Sequence, residues 1–301
     1  MSPPNSALVP PASRLIGAWT ACVPVLFVIL WSTGYMGALF VLPHAEPFTF
    51  LFVRFAIVAA LMALVSIATG APWHASWGAA GHLAMIGVLI HGVTFMGLFS
   101  ALAQGMPSGV VALIMGLQPL LTALAAGPLL GETMTVRQWL GLVLGFAGVV
   151  VVIADKLDPA GADGVGVALA SVAVVGFTAG TLYQKRHGGA MPLRSGHSIQ
   201  FAAAALLTGA FSLVFETGVI HWTCEFVFGL AWLVVVLSLG AVSLLYLMLK
   251  RGSASKVVSL FYLLPPMTAL MGFALFGETL GPLALAGMAV SIFGVALVTK
   301  R

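Results

Sequence analysis

Pro119-Leu120-Leu121-Thr122-Ala123-Leu124 and Pro265-Pro266-Met267-Thr268-Ala269-Leu270 are two versions of one segment, set 146 residues apart. The register continues without a gap: Gly131-Glu132-Thr133 falls on Gly277-Glu278-Thr279, and Gly141 and Gly148 fall on Gly287 and Gly294. The chain therefore reads as two copies of one unit. Of its 301 residues, 61% are hydrophobic and only 7% charged, and the mean hydropathy is +1.13. A soluble domain carries roughly a quarter charged residues, so both copies belong in a bilayer. Duplicated membrane units enclose a path between their halves, which points to transport.

A spanning helix needs about 20 mostly apolar residues. Ten windows fit, near 20–42, 47–69, 80–102, 107–130, 135–154, 164–186, 195–216, 226–248, 254–276 and 281–299. The expected fold class is all-α integral membrane, with ten transmembrane helices in two inverted five-helix repeats around a central cavity. Residues 1–17 read as a disordered tail, 18–156 as the first repeat and 163–301 as the second. Cys22 and Cys224 fall at opposite membrane faces in this scheme, too far apart for a disulfide.

Lysine and arginine placement orients the spans. With the N-terminus cytoplasmic, Arg14, Arg137, Lys185, Arg186, Arg194, Lys250, Arg251, Lys256, Lys300 and Arg301 lie inside, and Lys156 alone lies in an outer loop. Glu46, Asp155, Asp158, Asp163, Glu216, Glu225 and Glu278 lie outside, with Glu132 inside. Both termini are thus expected in the cytoplasm. The net charge of +4 is a topology signal rather than a nucleic-acid footprint. Five spans per unit is an odd number, so the second copy enters the membrane upside down.

The mid-helix Pro119 and Pro265, each followed by a Gly-Glu-Thr element, the glycine-spaced helices after them and Arg54-Phe55 in the second span carry a resemblance. Over roughly 17–300 the chain resembles the drug/metabolite transporter superfamily, specifically its ten-helix members built from two EamA-type units. Within it, the chain looks like bacterial exporters of amino acids and aromatic metabolites. The resemblance implies a secondary transporter exporting small amphipathic metabolites, most of all amino acids, by alternating access. A multidrug or sugar-phosphate carrier of the same superfamily is the alternative. A membrane-embedded lipid enzyme would need clustered His and carboxylates or a metal site. Here the acids stand singly and the histidines lack ligand spacing. No enzyme, cofactor or metal is expected, and no phosphate-binding loop implies ATP. The expected partners are a small-molecule substrate and the lipid bilayer, with the protein a monomer or weak homodimer.

Counting from the span ends puts Trp31, His91, Gln118, Phe177 and Tyr262 near the bilayer centre, with Tyr35 one turn beyond Trp31. Trp31-Ser32 aligns with Phe177-Thr178, each followed by a glycine, Gly34 and Gly180. Aromatics with polar tips at that depth need a polar or wet neighbour. A substrate-binding wall and plain helix packing both fit them. His91, Phe95 and Phe99 recur every four residues and line one helix face. His91 is the one proton carrier offered at mid-depth, so proton coupling and facilitated movement both stay open. Gln118 suits either a substrate or a carbonyl released by Pro119.

Pro119, Pro265 and Pro266 free the carbonyls of Met115, Phe261 and Tyr262, so kinks or hinges are expected there. Arg54 is expected to pair with Glu46 or Glu278 as a charge pair or outer gate, or to attract a substrate carboxylate. Lys256 reads as a snorkelling residue. Gly141, Gly145 and Gly148, repeated as Gly287, Ser291 and Gly294, form a small-residue stripe for packing within the bundle or in a dimer.

Overall fold

The computed structural model describes residues 11–73, 76–154, 163–188, 192–276 and 281–300. The side chains of 11–21, Tyr35, Met36, Leu39, Gly272, Leu275 and Phe276 lie outside that description. Ten helices follow one another: α1 (Pro11–Val41), α2 (Pro47–Ala68), α3 (Trp77–Ala103), α4 (Ser108–Leu130) and α5 (Val136–Ile153) in the first half. The second half holds α6 (Gly164–His187), α7 (Leu193–Phe215), α8 (Cys224–Arg251), α9 (254–276) and α10 (Pro282–Thr299). Nine of the described helices are long and apolar enough to cross a membrane, and α1 contributes a shorter apolar stretch, Cys22–Gly34. The backbone is helical from Pro11, within the stretch 1–17 read from composition as a tail. A proline in the first turn removes only an N–H that has no intrahelical partner there.

The helix ends are written in local chemistry. Thr135 and Gln138 form a reciprocal capping box at the start of α5. Asp163 accepts from the Gly166 amide at 2.6 Å to start α6. Gly131, at φ +69°, ends α4 in a left-handed conformation that glycine adopts without strain.

The extensive helix pairings join the two halves: α5 with α10, α2 with α7, α3 with α6, and α8 with α1. Exchanging equivalent helices maps this pattern onto itself, as an inverted repeat requires. The α5–α10 seam explains the small-residue stripe. A Cβ on Gly148 would stand 2.5 Å from the Ser291 amide nitrogen and 2.7 Å from the Gly287 oxygen. One on Gly294 would meet the Gly141 oxygen at 2.6 Å. The stripe is thus consumed inside one chain.

Two carboxylates tie α2 to α7 at the end rich in acids. Glu216 accepts from the Phe48 and Thr49 amides at 2.7 and 2.6 Å, and Glu46 accepts from the amide and hydroxyl of Thr217 at 2.8 and 2.7 Å. The Thr217 hydroxyl, with the backbone amides beside it, holds the Glu46 carboxyl below the usual carboxylate range. The clasp's contribution from Glu46 is therefore complete above that range and is lost as pH falls through the depressed value. At the other end Glu132 accepts from the Ala254 amide and the Ser255 hydroxyl, at 2.7 and 2.9 Å, and so caps α9.

Four helices are interrupted, in matched pairs. A π-helical segment covers Val88–Val93 in α3 and Leu233–Ala241 in α8, the same place in the repeat register. The α4 helix breaks at Gly116–Leu117, and α9 narrows to a 3-10 turn over Leu260–Leu263. Both breaks stand immediately before the prolines, which occupy the first turn of the resumed helix. Inside the α3 segment, the Thr94 hydroxyl donates to the Leu89 carbonyl at 2.8 Å.

Substituting Gly148→Ala or Gly294→Ala is expected to lower stability by about 1–3 kcal/mol through overpacking. Gly81→Ala, which meets nothing within 4 Å, is expected to be neutral or stabilising. Thermal unfolding of the purified variants in detergent checks both.

Candidate functional site

Helices α1, α6 and α9 bring a group of rings together where the two halves meet. Trp31 of α1 and Phe177 of α6 occupy equivalent repeat positions and stack on each other, with centroids 5.9 Å apart and planes at 15°. Phe261 of α9 stands edge-on to both, at 5.1 Å and 5.2 Å. Phe27, one turn before Trp31, completes the group at 5.3 Å from Trp31 and 5.4 Å from Phe261. The meeting place of the halves, read from the sequence as a central cavity, holds these rings. The glycines beside them set the distance. Gly34 packs on Leu237 and Gly180 on Ile90, so α1 lies close on α8 and α6 close on α3.

An open cavity of about 470 Å³ lies at the end rich in Lys and Arg. It is lined by Leu129, Leu130, Glu132, Lys185, Arg186, Gly252 and Ser253. Lys185 donates to the Leu249 and Gly252 carbonyls at 2.8 and 2.6 Å, closing the C-terminal end of α8.

The residues singled out by sequence separate into distinct neighbourhoods. Trp31 and Phe177 meet, but His91, Phe95 and Phe99 do not join them. His91 is fully buried, stacks on Phe201 of α7 at 4.0 Å, and shares a hydrogen bond of 3.1 Å with the Tyr246 hydroxyl of α8. Phe95 and Phe99 pack towards Phe55 and Phe50 of α2. These three side chains of α3 turn towards α2 and α7 rather than the ring group.

Tyr262 is also elsewhere. Its ring fills the space over Gly145 on α5, and its buried hydroxyl has no partner among the described residues. The neighbouring Phe261 enters the ring group instead. The 3-10 turn decides this, because it changes which of two consecutive side chains faces inward. Gln118 is buried and donates to Thr122 one turn on, at 3.2 Å. Arg54 does not pair with Glu46, whose Oε2 accepts from the amide and hydroxyl of Thr217. It lies buried beside Ser238 and the rings of Phe55 and Phe95. Glu278 and the side chain of Tyr35 lie outside the described residues. Among the described residues, no group of three or more His, Cys, Asp or Glu could hold a metal ion. Cys22 and Cys224 are free thiols.

Sequence reasoning missed Phe27, Phe261, His197 and Tyr246. Phe261 had one available signal, its position four residues before Pro265. His197 had none, since it stands only four residues into α7 yet is buried edge-on to Tyr246 at 4.9 Å.

The pairwise breaks and the crosswise packing match a known architecture. The model of the EamA-like transporter family matches residues 17–154 and again 164–300. The chain belongs to the EamA-like transporter family. A Bacillus subtilis protein named as the uncharacterized transporter YvbV is 28% identical, over 94% of this chain and 92% of that one. A probable terminal-alkyne amino-acid exporter of Streptantibioticus cattleyicolor is 29% identical, over 65% of each chain. The uncharacterized inner membrane transporter YedA of Escherichia coli is 24% identical, over 72% of this chain and 70% of its own. A crystal structure at 22% identity shares the fold, with a TM-score of 0.78 over 94% of this chain and 97% of the other. The protein is thus a multi-pass membrane transporter of the EamA-like family.

Two neighbouring side chains separate the ring group from the α5 seam by experiment. Phe261→Ala is expected to cost about 3–5 kcal/mol. Tyr262→Phe, which removes a buried hydroxyl with no partner, is expected to be neutral or stabilising. Thermal melts of the two variants in one detergent check the contrast.

Proposed function

We propose that the protein exports small amphipathic metabolites, most of all amino acids, across the inner membrane by alternating access, with both termini cytoplasmic. The observation that carries this reading is the ring group of Trp31, Phe177 and Phe261. It lies where the halves meet, on three helices that pack mainly across the repeat. Its faces suit an apolar or aromatic side chain. The likeness to an amino-acid exporter supports the same substrate class. Lys and Arg gathered at one end of the bundle support the orientation.

The ring group acts as the barrier at mid-depth, and substrate replaces ring–ring contacts as the barrier opens. The matched interruptions in α3, α8, α4 and α9 serve as the flexing points. A π or 3-10 segment holds weaker hydrogen bonds than the helix around it, so bending there breaks less. Pro119, Pro265 and Pro266 keep the breaks from healing into straight helix.

Counterflow of radiolabelled amino acids into proteoliposomes is the test. Flux is expected to be saturable, with aromatic and branched substrates leading the panel. Trp31→Ala and Phe177→Ala are each expected to lower kcat/KM by about tenfold or more, corresponding to ~1.4 kcal/mol. Flux at the protein-free background across the whole panel, alongside saturable flux of a lipophilic cation or a sugar phosphate, would refute the amino-acid reading.

A further inference from the structure

Arg54 sits on α2, about 10 Å along the helix from its first residue at 1.5 Å per residue, and is 1% exposed. A guanidinium carries five N–H donors. Here Nε and Nη2 both donate to a single hydroxyl, Ser238 Oγ, at 3.1 and 3.0 Å. The rest of the group faces the rings of Phe55 and Phe95, at 5.5 and 5.1 Å from their centroids. Nη1 is buried and has no partner among the described residues. Across Phe55, 6.0 Å from its ring, lies the imidazole of His91, whose Nε2 meets Tyr246 while its buried Nδ1 is also unpartnered.

No carboxylate is left to neutralise this charge among the described residues. Glu46 is bound to Thr217, Glu216 to Phe48 and Thr49, and Glu132 to Ala254 and Ser255. Asp163 caps α6 and Glu225 pairs with His44 at 3.3 Å. All of them stand at helix ends. A fixed cation in a low-dielectric interior requires an anion or a set of acceptors. One hydroxyl and two ring faces do not meet that requirement.

The repeat supplies an independent argument. In the second half, Arg54 corresponds to Gln200, His91 to Leu237, and Ser238 corresponds to Gly92 of the first half. The packing of an inverted repeat therefore does not demand these residues, because the equivalent positions pack without them. The cluster is a one-sided addition to a two-sided frame.

We propose that Arg54, with Ser238, holds one small monovalent anion per chain, either a carboxylate or an inorganic halide, in the space between α2, α3 and α8. The forked guanidinium presents Nη1 to the anion while Ser238 fixes the opposite edge. A carboxylate ligand would deepen the amino-acid reading above and rests on it; an inorganic ligand would make the transporter anion-dependent whatever its substrate. Binding is read on purified protein without transport, so its failure and that of the amino-acid reading are separable.

The full chain in detergent is titrated with sodium chloride and with sodium acetate against sodium methanesulfonate, neither a halide nor a carboxylate, at constant ionic strength, following thermal unfolding and equilibrium dialysis of labelled anion. One of the two salts is expected to give saturable stabilisation at one anion per chain. Chloride acting alone assigns an inorganic anion, and acetate acting alone or more tightly assigns a carboxylate. Arg54→Gln is expected to weaken binding at least about tenfold, and Arg54→Lys to weaken it less, since an ammonium keeps the charge but not the fork. Arg54→Met, which keeps much of the apolar volume, is the second variant should Arg54→Gln not fold; it is expected to melt identically in all three salts. Equal melting of the unaltered protein in all three salts, or an anion response that survives loss of the guanidinium, overturns the proposal.

Discussion

Every peptide group that crosses a bilayer must find its hydrogen bond inside the protein, because the hydrocarbon offers none. That constraint fixes the all-helical architecture, and it makes each interruption of a helix informative. The interruptions here fall in the middle of α3, α4, α8 and α9, and each has its counterpart in the other half. Loose ends are tended locally. Thr94 supplies a hydroxyl to a carbonyl of the π segment in α3, and Glu132 receives the first amides of α9. Away from these places the helices are continuous.

The architecture was legible in sequence because its signals are long or repeated. Ten apolar windows, a gapless 146-residue register and the segregation of Lys and Arg each involve many residues, so no single misreading alters the outcome. The stacking partners Trp31 and Phe177 were also legible, since the register itself pairs them. The neighbourhoods of individual side chains were less so. A face drawn at 3.6 residues per turn loses its direction on passing through a π segment, and His91 lies inside one. A 3-10 turn likewise exchanges the roles of Phe261 and Tyr262. The partner of Arg54 depended on which helices meet, and no local pattern encodes that.

The two halves share a frame but not a charge. A charged side chain at the centre of a spanning helix costs about 2.5–3.5 kcal/mol on insertion-based scales. The two ring faces beside Arg54 return about 0.5–2 kcal/mol by cation–π attraction. The remainder is borne by the first half alone, since the equivalent Gln200 is uncharged and bonds to Gln184 at 3.2 Å. The chain thus keeps, on one side of its repeat, a charged group that has an uncharged counterpart in the second copy. The stacked pair at the heart of the ring group differs in this respect, since Trp31 and Phe177 are equivalent residues of the two halves.

The glycine seam also bears on how the molecule is made. Gly148 in α5 is shaped to fit Gly287 and Ser291 in α10, which is synthesised after the other nine described helices. Until that helix emerges, α5 presents its notched surface to lipid with no mate. The first five helices therefore enter the membrane as an unfinished assembly, and the eighteen residues of α10 supply the mate that α5 lacks.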